Sequence, residues 1–515
     1  MPRATLQHWC GRKSVLAATS RATVFYESPD GLEFLHRLQV ALHFVLGFLG
    51  PNGLRHIMEV ITLSGLDAFI ANSFGSQQKF AVQMQASICA FGSEERGRLG
   101  ATMPAKEITA CQDETFHPAP CLVAIEPVSN FILLEQYAQG RDAATWNDTF
   151  KAAIGDLPVR VIQSTSDEGK GLLAHVRAGL GAHHSPDVFH GQQALSRSTS
   201  IALAGQVRQA ERAVGQAQAG VARVSEHAAS WAHTRHGPGR PPNFAARALE
   251  AESTVQAAQQ VLHVAQERQE RARHAIRGIG QAYHPVDLKT GAPVTPAQVT
   301  DALEEHFAAI ATVAREASLP ERCLKGIDKA HRLVPLFTST LAFVASQVRA
   351  RLDKLDLPAA LAAVVEQYVL PIAYLKRAAV KAQSADAREA LRQLVARLSE
   401  DPHVIAAMDS LAPDRLAHVE RVVAECADLF QRSSSCVEGR NGQLSLQHHG
   451  LHRISASRLE ALTVVHNFFI RRSDGTTAAQ RFFGTKPEDL FDRLLGLPKP
   501  SRPASSRPDR GRLMN

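Results

Sequence analysis

The chain has 515 residues, of which 45% are hydrophobic and 21% are charged. This length exceeds one ordinary core and this composition excludes a largely disordered protein, so roughly two to four folded units are expected. The net charge of +7 and the isoelectric point of about 9.1 favour a polyanionic partner. The basic residues cluster in 440–481 and in the C-terminal tail.

The cysteines and the N-terminus indicate the compartment. Seven cysteines form no C-x-x-C pair, and residues 1–5 lack an apolar signal core. We therefore expect reduced thiols in a cytoplasmic protein without a structural zinc site. The apolar stretch around 38–50 contains His43 and is too short to span a membrane, which favours a buried helix.

Residues 1–105 show helical spacing of apolar residues, with breaks at Pro29-Asp30-Gly31 and Pro51-Asn52-Gly53. They predict a small all-α region. Residues 5–9, followed by Arg12 and Lys13, fit the remnant of a helix-turn-helix. A plain helix terminus is the alternative interpretation of the same residues.

The pattern changes to strands at residue 107. An amphipathic helix is expected over 142–154 with Asp142 as its N-cap. The predicted strands are 107–111, 121–125, 131–135 and 159–164, with a short fifth strand over 187–190. Three strands in a meander, a helix and then a fourth strand follow the order of the RNase H-like fold, an α/β layer arrangement with a mixed sheet of about five strands.

After residue 191 the strand signal disappears. Residues 192–232 and 244–280 are rich in Ala, Gln, Glu and Arg around a Gly/Pro loop at 236–242, which predicts an antiparallel coiled-coil hairpin. Further helices are expected to 432, with breaks near Pro320, Pro358, Pro371, Pro402 and Pro413. The predicted organisation is therefore 1–105 helical, 106–191 first part of the core, 192–432 helical insertion, 433–490 completion of the core, and a 491–515 tail that is disordered from about 503.

Three carboxylates from distant parts of the chain carry the chemical hypothesis. Asp113 follows the first strand, Asp167 follows the fourth, and Glu438 lies in the small, polar stretch 433–441 at the start of a helix predicted over 436–447. The first and fourth strands are neighbours in an RNase H-like sheet, so the two aspartates should meet. Glu114 and Glu168 are the competing candidates beside them.

Polar and basic residues near these carboxylates are candidate DNA contacts, because one guanidinium group can donate to two phosphate oxygens at once. Arg440 and Asn441 have an alternative role in capping or solvating their helix. The candidate DNA-binding residues are Lys170, Arg440, Asn441, His448, His449, Arg453 and Arg458.

Several motifs resemble the bacterial insertion-sequence DDE transposases, in which an RNase H-like core is interrupted by an α-helical insertion. The first two are CQDETF at 111–116 and STSDEGKG at 164–171. The third is SSSCVEGRN at 433–441, followed by the tracts 446–468 and 474–484. The resemblance covers about 105–490, with only helical character in the middle. Members of this family usually carry a substantial DNA-binding domain before the core, and only the first dozen residues here resemble a remnant of it.

The resemblance implies a metal-dependent enzyme of DNA transposition and recombination. Two Mg²⁺ ions, with Mn²⁺ as a substitute, would be held by Asp113, Asp167 and Glu438. The implied partners are double-stranded DNA, as the inverted repeats of a mobile element and the target, and further copies of the chain in at least a dimer. No membrane is expected, and the location would be the bacterial cytoplasm at the nucleoid. The alternatives are an RNase H-fold nuclease and a truncated or repurposed, non-catalytic DNA-binding coiled-coil protein.

Overall fold

The computed structural model of the protein describes residues 20–116, 119–451 and 453–499. The chain divides into two compact units. Unit 1 is formed by Met1–Ala182 and Ser434–Asn515, and unit 2 by His183–Ser433. The predicted helix-turn-helix remnant and the tail from about 503 lie outside the described residues.

Unit 1 begins with helices that the predicted breaks delimit. Ser28 caps the second helix by accepting a hydrogen bond from the Gly31 backbone, and Pro29 occupies its first turn, where no N–H is needed. The helix then continues into a π-helical turn. The N-terminal elements are α1 Ser20–Glu27, α2 Pro29–Leu42, π1 His43–Leu49, α3 Leu54–Leu63, the 3-10 turn Leu66–Ala68 and α4 Phe74–Thr102.

A five-stranded mixed sheet follows, which confirms the α/β core. Its strands are β1 Lys106–Phe116, β2 Pro120–Glu126, β3 Phe131–Tyr137, β4 Val159–Ser166 and β5 His183–Pro186, and their order in the sheet is β3-β2-β1-β4-β5. β1 and β2, and β2 and β3, are antiparallel, whereas β1 and β4 are parallel. Four of the predicted strands are confirmed.

The predicted fifth strand at 187–190 is wrong. β5 precedes it, and Asp187 instead caps a long helix by accepting a hydrogen bond from the Phe189 backbone at 2.7 Å. The predicted helix after β3 is confirmed: Asp142 is its N-cap and accepts from the Thr145 backbone at 2.9 Å. The helices between the strands are α5 Ala143–Ile154, α6 Lys170–Ala174 and π2 His175–Gly179.

The C-terminal segment of unit 1 completes its core. Its helices are α17 Ser435–Leu451, α18 Ala456–Phe468, α19 Ala478–Phe483 and α20 Leu490–Leu495. One continuous apolar cluster joins them to the sheet and to α4, and it includes Phe91, Ile125, Phe150, Leu444 and Val465. The chain therefore has to return after residue 433 before this core can close.

Unit 2 consists of helices apart from β5. The helices are α7 Val188–His233, α8 Phe244–Ala282, α9 Pro296–Glu316, α10 Glu321–His331, α11 Val334–Asp353, α12 Ala359–Val364, π3 Val365–Val369, α13 Leu370–Lys381, α14 Ala385–Ser399, α15 Pro402–Asp409 and α16 Pro413–Asp428. α7 and α8 run antiparallel as predicted. The rings of His227 and Phe244 lie 5.3 Å apart near the loop, and Gln192 donates to the Ile276 carbonyl at the other end.

At the prolines where helix breaks were predicted, a new helix begins in every case but one. Pro320 and Pro358 are N-caps, and Pro402 and Pro413 occupy first turns. Pro371 does not break the chain's helical course, because π3 precedes it and α13 continues through it. Prolines and π-helical turns are both usual sites of irregularity within a continuing helix.

Three helical segments of the described residues are long and apolar enough to cross a membrane by length and composition alone: Pro29–Leu49, Glu321–Asp353 and Ala359–Lys381. The first contains residues 38–49, so the expectation that the stretch around 38–50 is too short to span a membrane is wrong for the whole helical segment, because α2 and π1 are continuous. Leu35, Val40, Phe44 and Phe48 of this segment are buried within the protein.

Candidate active site at one end of the sheet

Asp113 and Asp167 follow corresponding positions of two neighbouring parallel strands. The last paired residues of β1 and β4 are Gln112 and Ser166, and each aspartate is the next residue along its strand. Asp113 lies within β1 rather than after it, because pairing with β2 extends that strand to Phe116. The two carboxylates therefore emerge at the same end of the β1–β4 ladder.

The two faces of β1 separate Asp113 from its competitor Glu114. Successive side chains of a strand point to opposite faces. Glu114 accepts hydrogen bonds from Trp146 Nε1 at 3.1 Å and from Arg141 at 3.3 Å, so it faces α5. Asp113 Oδ2 instead accepts from Nδ2 of Asn441 on α17, at 3.3 Å. Asp113 is thus the acid that faces the C-terminal helix.

A buried polar network lies on the Glu114 face and fixes the strand. Ser164 donates to Gln112 Oε1 at 2.6 Å, and the Gln112 amide lies 3.1 Å from His175 Nε2. The other ring nitrogen of His175 lies 2.6 Å from Asn147 Oδ1. Burial lowers the pKa of His175 to about 4, so its ring is neutral at physiological pH. This network positions the residue before Asp113 without adding charge.

Asp167 occupies an exposed turn between β4 and α6. Its Oδ1 accepts a hydrogen bond from the Gly169 backbone at 3.0 Å, which fixes the carboxylate. Glu168 and Lys170 are exposed in the same turn. Gly171 is required there, because a Cβ at this position would lie 2.3 Å from the Arg141 carbonyl oxygen. The turn can therefore approach the start of α5 closely.

Glu438 is exposed in the first turn of α17, and the predicted helix is confirmed with slightly wider bounds. Asn441 is three residues further on, so both side chains lie on one face of the helix. Since Asn441 reaches Asp113, this face of α17 is the one that approaches β1. We call Asp113, Asp167 and Glu438 the acidic edge.

Arg440 has a different position from the one expected of a DNA contact. Its guanidinium is buried and forms two hydrogen bonds with Glu135 of β3, at 2.7 and 2.6 Å. Thr463 of α18 donates to the same carboxylate at 2.5 Å. The guanidinium is therefore occupied inside unit 1, and Arg440 joins α17 to the sheet. The acidic residue that directly follows the four apolar residues at the start of β3 was the available sequence signal for this pair.

The remaining basic candidates lie beyond the acidic edge, along α17 and α18. His448 is half-buried with Nε2 3.5 Å from the Tyr137 hydroxyl, and His449 is exposed. Arg453 is exposed. Arg458 is mostly buried, and its guanidinium lies over the Phe48 ring at 3.8 Å. Lys170, by contrast, follows Asp167 by three residues and begins α6, so the basic candidates belong to different parts of unit 1.

Several residues of the C-terminal tracts hold the β2–β3 hairpin. Asn467 both donates to and accepts from the Ile132 backbone, at 3.0 and 2.9 Å, as a neighbouring strand would. His466 lies 2.9 Å from the Asn130 carbonyl, and Arg481 donates to the Ser129 carbonyl at 2.7 Å. We call Glu135, Arg440, Thr463, His466 and Asn467 the β3 clamp.

The ligand chemistry of the acidic edge suits a hard divalent cation, because Mg²⁺ prefers carboxylate oxygens. Asp113 and Asp167 supply such oxygens from adjacent strands, and Glu438 lies on the face of α17 that meets β1. Among residues 20–116, 119–451 and 453–499, no group of three His, Cys, Asp or Glu side chains is close enough to share one metal ion.

Comparison with known proteins shows a family match for part of the chain. Residues 365–509 match a family described as a family of unknown function (DUF6399). The matched segment runs from π3 to the end of unit 2 and continues through α17 and the C-terminal tracts, so it includes Glu438 and most of the β3 clamp. No curated protein and no solved structure matches the chain.

Proposed function

We propose that unit 1 is a metal-dependent phosphodiester-processing enzyme that acts on DNA in the manner of DDE transposases. The observation that carries the proposal is the pairing of Gln112 with Ser166, which brings Asp113 and Asp167 out side by side, with Asn441 of α17 on Asp113. The strand order β3-β2-β1-β4-β5 with one parallel pair supports an RNase H-like sheet. The motifs at 111–116, 164–171 and 433–441 support the transposase class.

The residues of the acidic edge have separate roles in this proposal. Asp113, Asp167 and Glu438 would hold Mg²⁺, which when bound neutralises phosphate charge and favours ionisation of the attacking hydroxyl. The Asn441 amide orients Asp113. The Gly169 N–H orients Asp167, and the exposed ammonium of Lys170 adds positive charge for a phosphate next to that turn.

The proposed reaction has two steps, hydrolysis and strand transfer. Water adds across a phosphodiester bond at the end of the element and leaves a free 3′-hydroxyl and a 5′-phosphate. The 3′-hydroxyl then attacks a target phosphodiester, so one P–O bond forms and the target's own 3′-oxygen leaves as a hydroxyl. Because two ends have to be joined to one target, the active form is proposed to be at least a dimer.

Strand cleavage in the full chain tests this proposal. The substrate is a labelled duplex carrying the DNA that flanks the coding sequence, incubated with Mg²⁺, with Mn²⁺ or with EDTA. We expect metal-dependent nicking that falls roughly a hundredfold or more in Asp113→Asn, Asp167→Asn and Glu438→Gln. Asn441→Ala should reduce it roughly tenfold, as is typical for residues that orient metal ligands.

Glu168→Gln is the matched control, because this exposed carboxylate lies one residue from Asp167 and should leave nicking unchanged. Salt-dependent DNA binding without cleavage by the wild type would contradict the proposal and favour a non-catalytic DNA-binding protein. Cleavage that ends at hydrolysis, with no joining of the 3′-hydroxyl to a second duplex, would identify a nuclease instead.

A further inference from the structure

A cavity of unit 1 lies apart from the acidic edge. Its volume is about 420 Å³, and its walls come from π1, the turn that follows it, α3, α4 and the start of α18. Leu451, at the end of α17, is one of its lining residues and follows Glu438 by thirteen positions. A helix rises 1.5 Å per residue, so the two residues are roughly 20 Å apart. We call this space the Arg458 cavity.

The charge of the Arg458 cavity is positive and uncompensated. Arg453 and Arg458 are the basic residues among those that line it, and none of the lining residues within the described ranges is Asp or Glu. The Nε atom of Arg458 is buried without a hydrogen-bond partner in the described part of the chain, while its terminal nitrogen donates to the Gly47 carbonyl. A buried guanidinium without a carboxylate is costly, and an anionic ligand removes that cost.

Two further features favour an anion. Burial lowers the pKa of Arg458 only to about 10, so the side chain keeps its charge at physiological pH. The 13-residue helix α18 also begins at the cavity, with Ser455 as its N-cap, so its first turn adds partial positive charge. His43 also lies in the wall, and its Nε2 is hydrogen-bonded to Gln77 Oε1 at 2.7 Å. Burial lowers the pKa of His43, so it contributes a neutral ring.

The remaining wall is partly apolar and also contains the polar side chains of Asn52 and Gln85. Phe48, Leu54, Ile57 and Leu451 line the cavity beside the two arginines. The volume lies within the range of small-molecule sites, roughly 300–1,000 Å³, and exceeds what one inorganic anion requires. A ligand that uses the whole space therefore combines a phosphate with a flat or apolar body.

We propose that the Arg458 cavity binds an organic phosphate of nucleotide size. Arg453 and Arg458 hold the phosphate, and the wall around Phe48 and Leu54 contacts the body of the ligand. Two ligands present the same nucleoside 5′-phosphate group, a free mononucleotide and the 5′-phosphorylated end of a DNA strand. The site stands independently of the proposed catalytic function, since none of its residues belongs to the acidic edge.

Calorimetric titration of the full chain tests the site. The probes are thymidine 5′-monophosphate, thymidine, inorganic phosphate, and oligothymidine with a 5′-phosphate or a 5′-hydroxyl. We expect the monophosphate to bind at least roughly tenfold more tightly than thymidine or phosphate, because each charged hydrogen bond to phosphate contributes about one to two powers of ten. A preference for the 5′-phosphorylated oligomer over the monophosphate identifies the strand end as the source, and the reverse order identifies the free nucleotide.

Arg453→Gln and Arg458→Gln should each weaken binding roughly tenfold or more, and Arg458→Lys should retain part of it. Arg453 is exposed, so its variant keeps the test valid if Arg458→Gln does not fold. Arg472→Gln is the control, because this exposed arginine of unit 1 does not line the cavity. The absence of binding by every phosphorylated probe, or wild-type affinity in both cavity variants, would overturn the proposal.

Discussion

The acidic edge and the β3 clamp lie on the same sheet and share α17, yet they contain charge in different states. Asp167 and Glu438 are exposed and Asp113 is half-buried, at the end of the β1–β4 ladder. Glu135 and Arg440 are buried and paired with each other. Two charged side chains of α17 that are two residues apart therefore differ in burial: Glu438, for which we propose a chemical role, is exposed, and Arg440 is buried in an ion pair that holds the helix to the sheet.

The largest expected effect of this difference is on stability at the clamp. Arg440→Leu should lower the free energy of unfolding of unit 1 by about 3–5 kcal/mol, because it leaves the buried Glu135 carboxylate without its charged partner and with only the Thr463 hydroxyl as a donor. Chemical denaturation followed by fluorescence and circular dichroism measures the change. The double variant Glu135→Leu with Arg440→Met should recover much of the loss, whereas Arg471→Gln, in an exposed pair with Asp489, should change it by less than about 1 kcal/mol. A small effect of Arg440→Leu would remove the distinction between the two regions.

The next effect is a loss of stability in mild acid. Burial and the charge of Arg440 lower the pKa of His466 to about 4, and burial lowers that of His175 to about 4 as well. Between pH 6.5 and 4.5 the unfolded chain takes up protons at these rings and the folded chain does not, so stability falls as the pH falls. By pH 4.5, each ring should lower the free energy of unfolding by roughly 2–3 kcal/mol relative to its value above pH 6.5.

Denaturation curves at several pH values check this expectation. His466→Gln should show a shallower fall between pH 6.5 and 4.5 than the wild type. His449→Gln changes an exposed ring and should keep the wild-type profile. An unfolding free energy that stays constant over this range would contradict the neutral, buried state of both histidines.

A smaller effect is expected where the Asp167 turn approaches α5. Gly171→Ala should destabilise unit 1 by about 1–3 kcal/mol, because its Cβ would overlap the Arg141 carbonyl oxygen. Gly205→Ala offers the matched control, since that glycine lies within α7 with open space around it. It should stabilise the chain by about 0.5–1 kcal/mol. Thermal unfolding should therefore show a lower melting temperature for Gly171→Ala and a higher one for Gly205→Ala.

The smallest effect on stability is expected at the acidic edge itself. Glu438→Gln should change the free energy of unfolding by no more than about 0.5 kcal/mol, as exposed substitutions usually do. Denaturation of the variant that is used for cleavage measures this directly. A loss as large as that of Arg440→Leu would mean that Glu438 belongs to the scaffold, and a loss of cleavage would then have no chemical meaning.

Local patterns were sufficient to predict much of the sheet and the helices. The strands near 121–125 and 131–135 have β-type side chains between turn residues, and Asp142 marks a helix start. The extension of β1 past Asp113 comes from its pairing with β2, which the first strand's own residues do not reveal. β5 consists of His183, His184, Ser185 and Pro186, which carry no strand pattern, so its place in the sheet arises from tertiary structure.

The candidate site, too, was predictable from local sequence only in part. The motifs identified Asp113, Asp167 and Glu438 as candidates, but they offered only a modest reason to prefer Asp113 over Glu114. That preference now rests on Trp146 and Arg141, which hold Glu114 on the opposite face. The role of Arg440 was not predictable locally, because its partner Glu135 is 305 positions away in the sequence.

The central proposal is that carboxylates from three segments distant in sequence bind metal at one end of the sheet. Replacing Mg²⁺ with Fe²⁺ in the full chain, followed by ascorbate and peroxide, cleaves the backbone close to the bound ion, and mass spectrometry locates the cuts. We predict cuts near residues 113, 167 and 438 together, suppressed by excess Mg²⁺ and lost in Asp113→Asn. Cuts at only one of these segments, or cuts that Asp113→Asn leaves unchanged, would contradict the account.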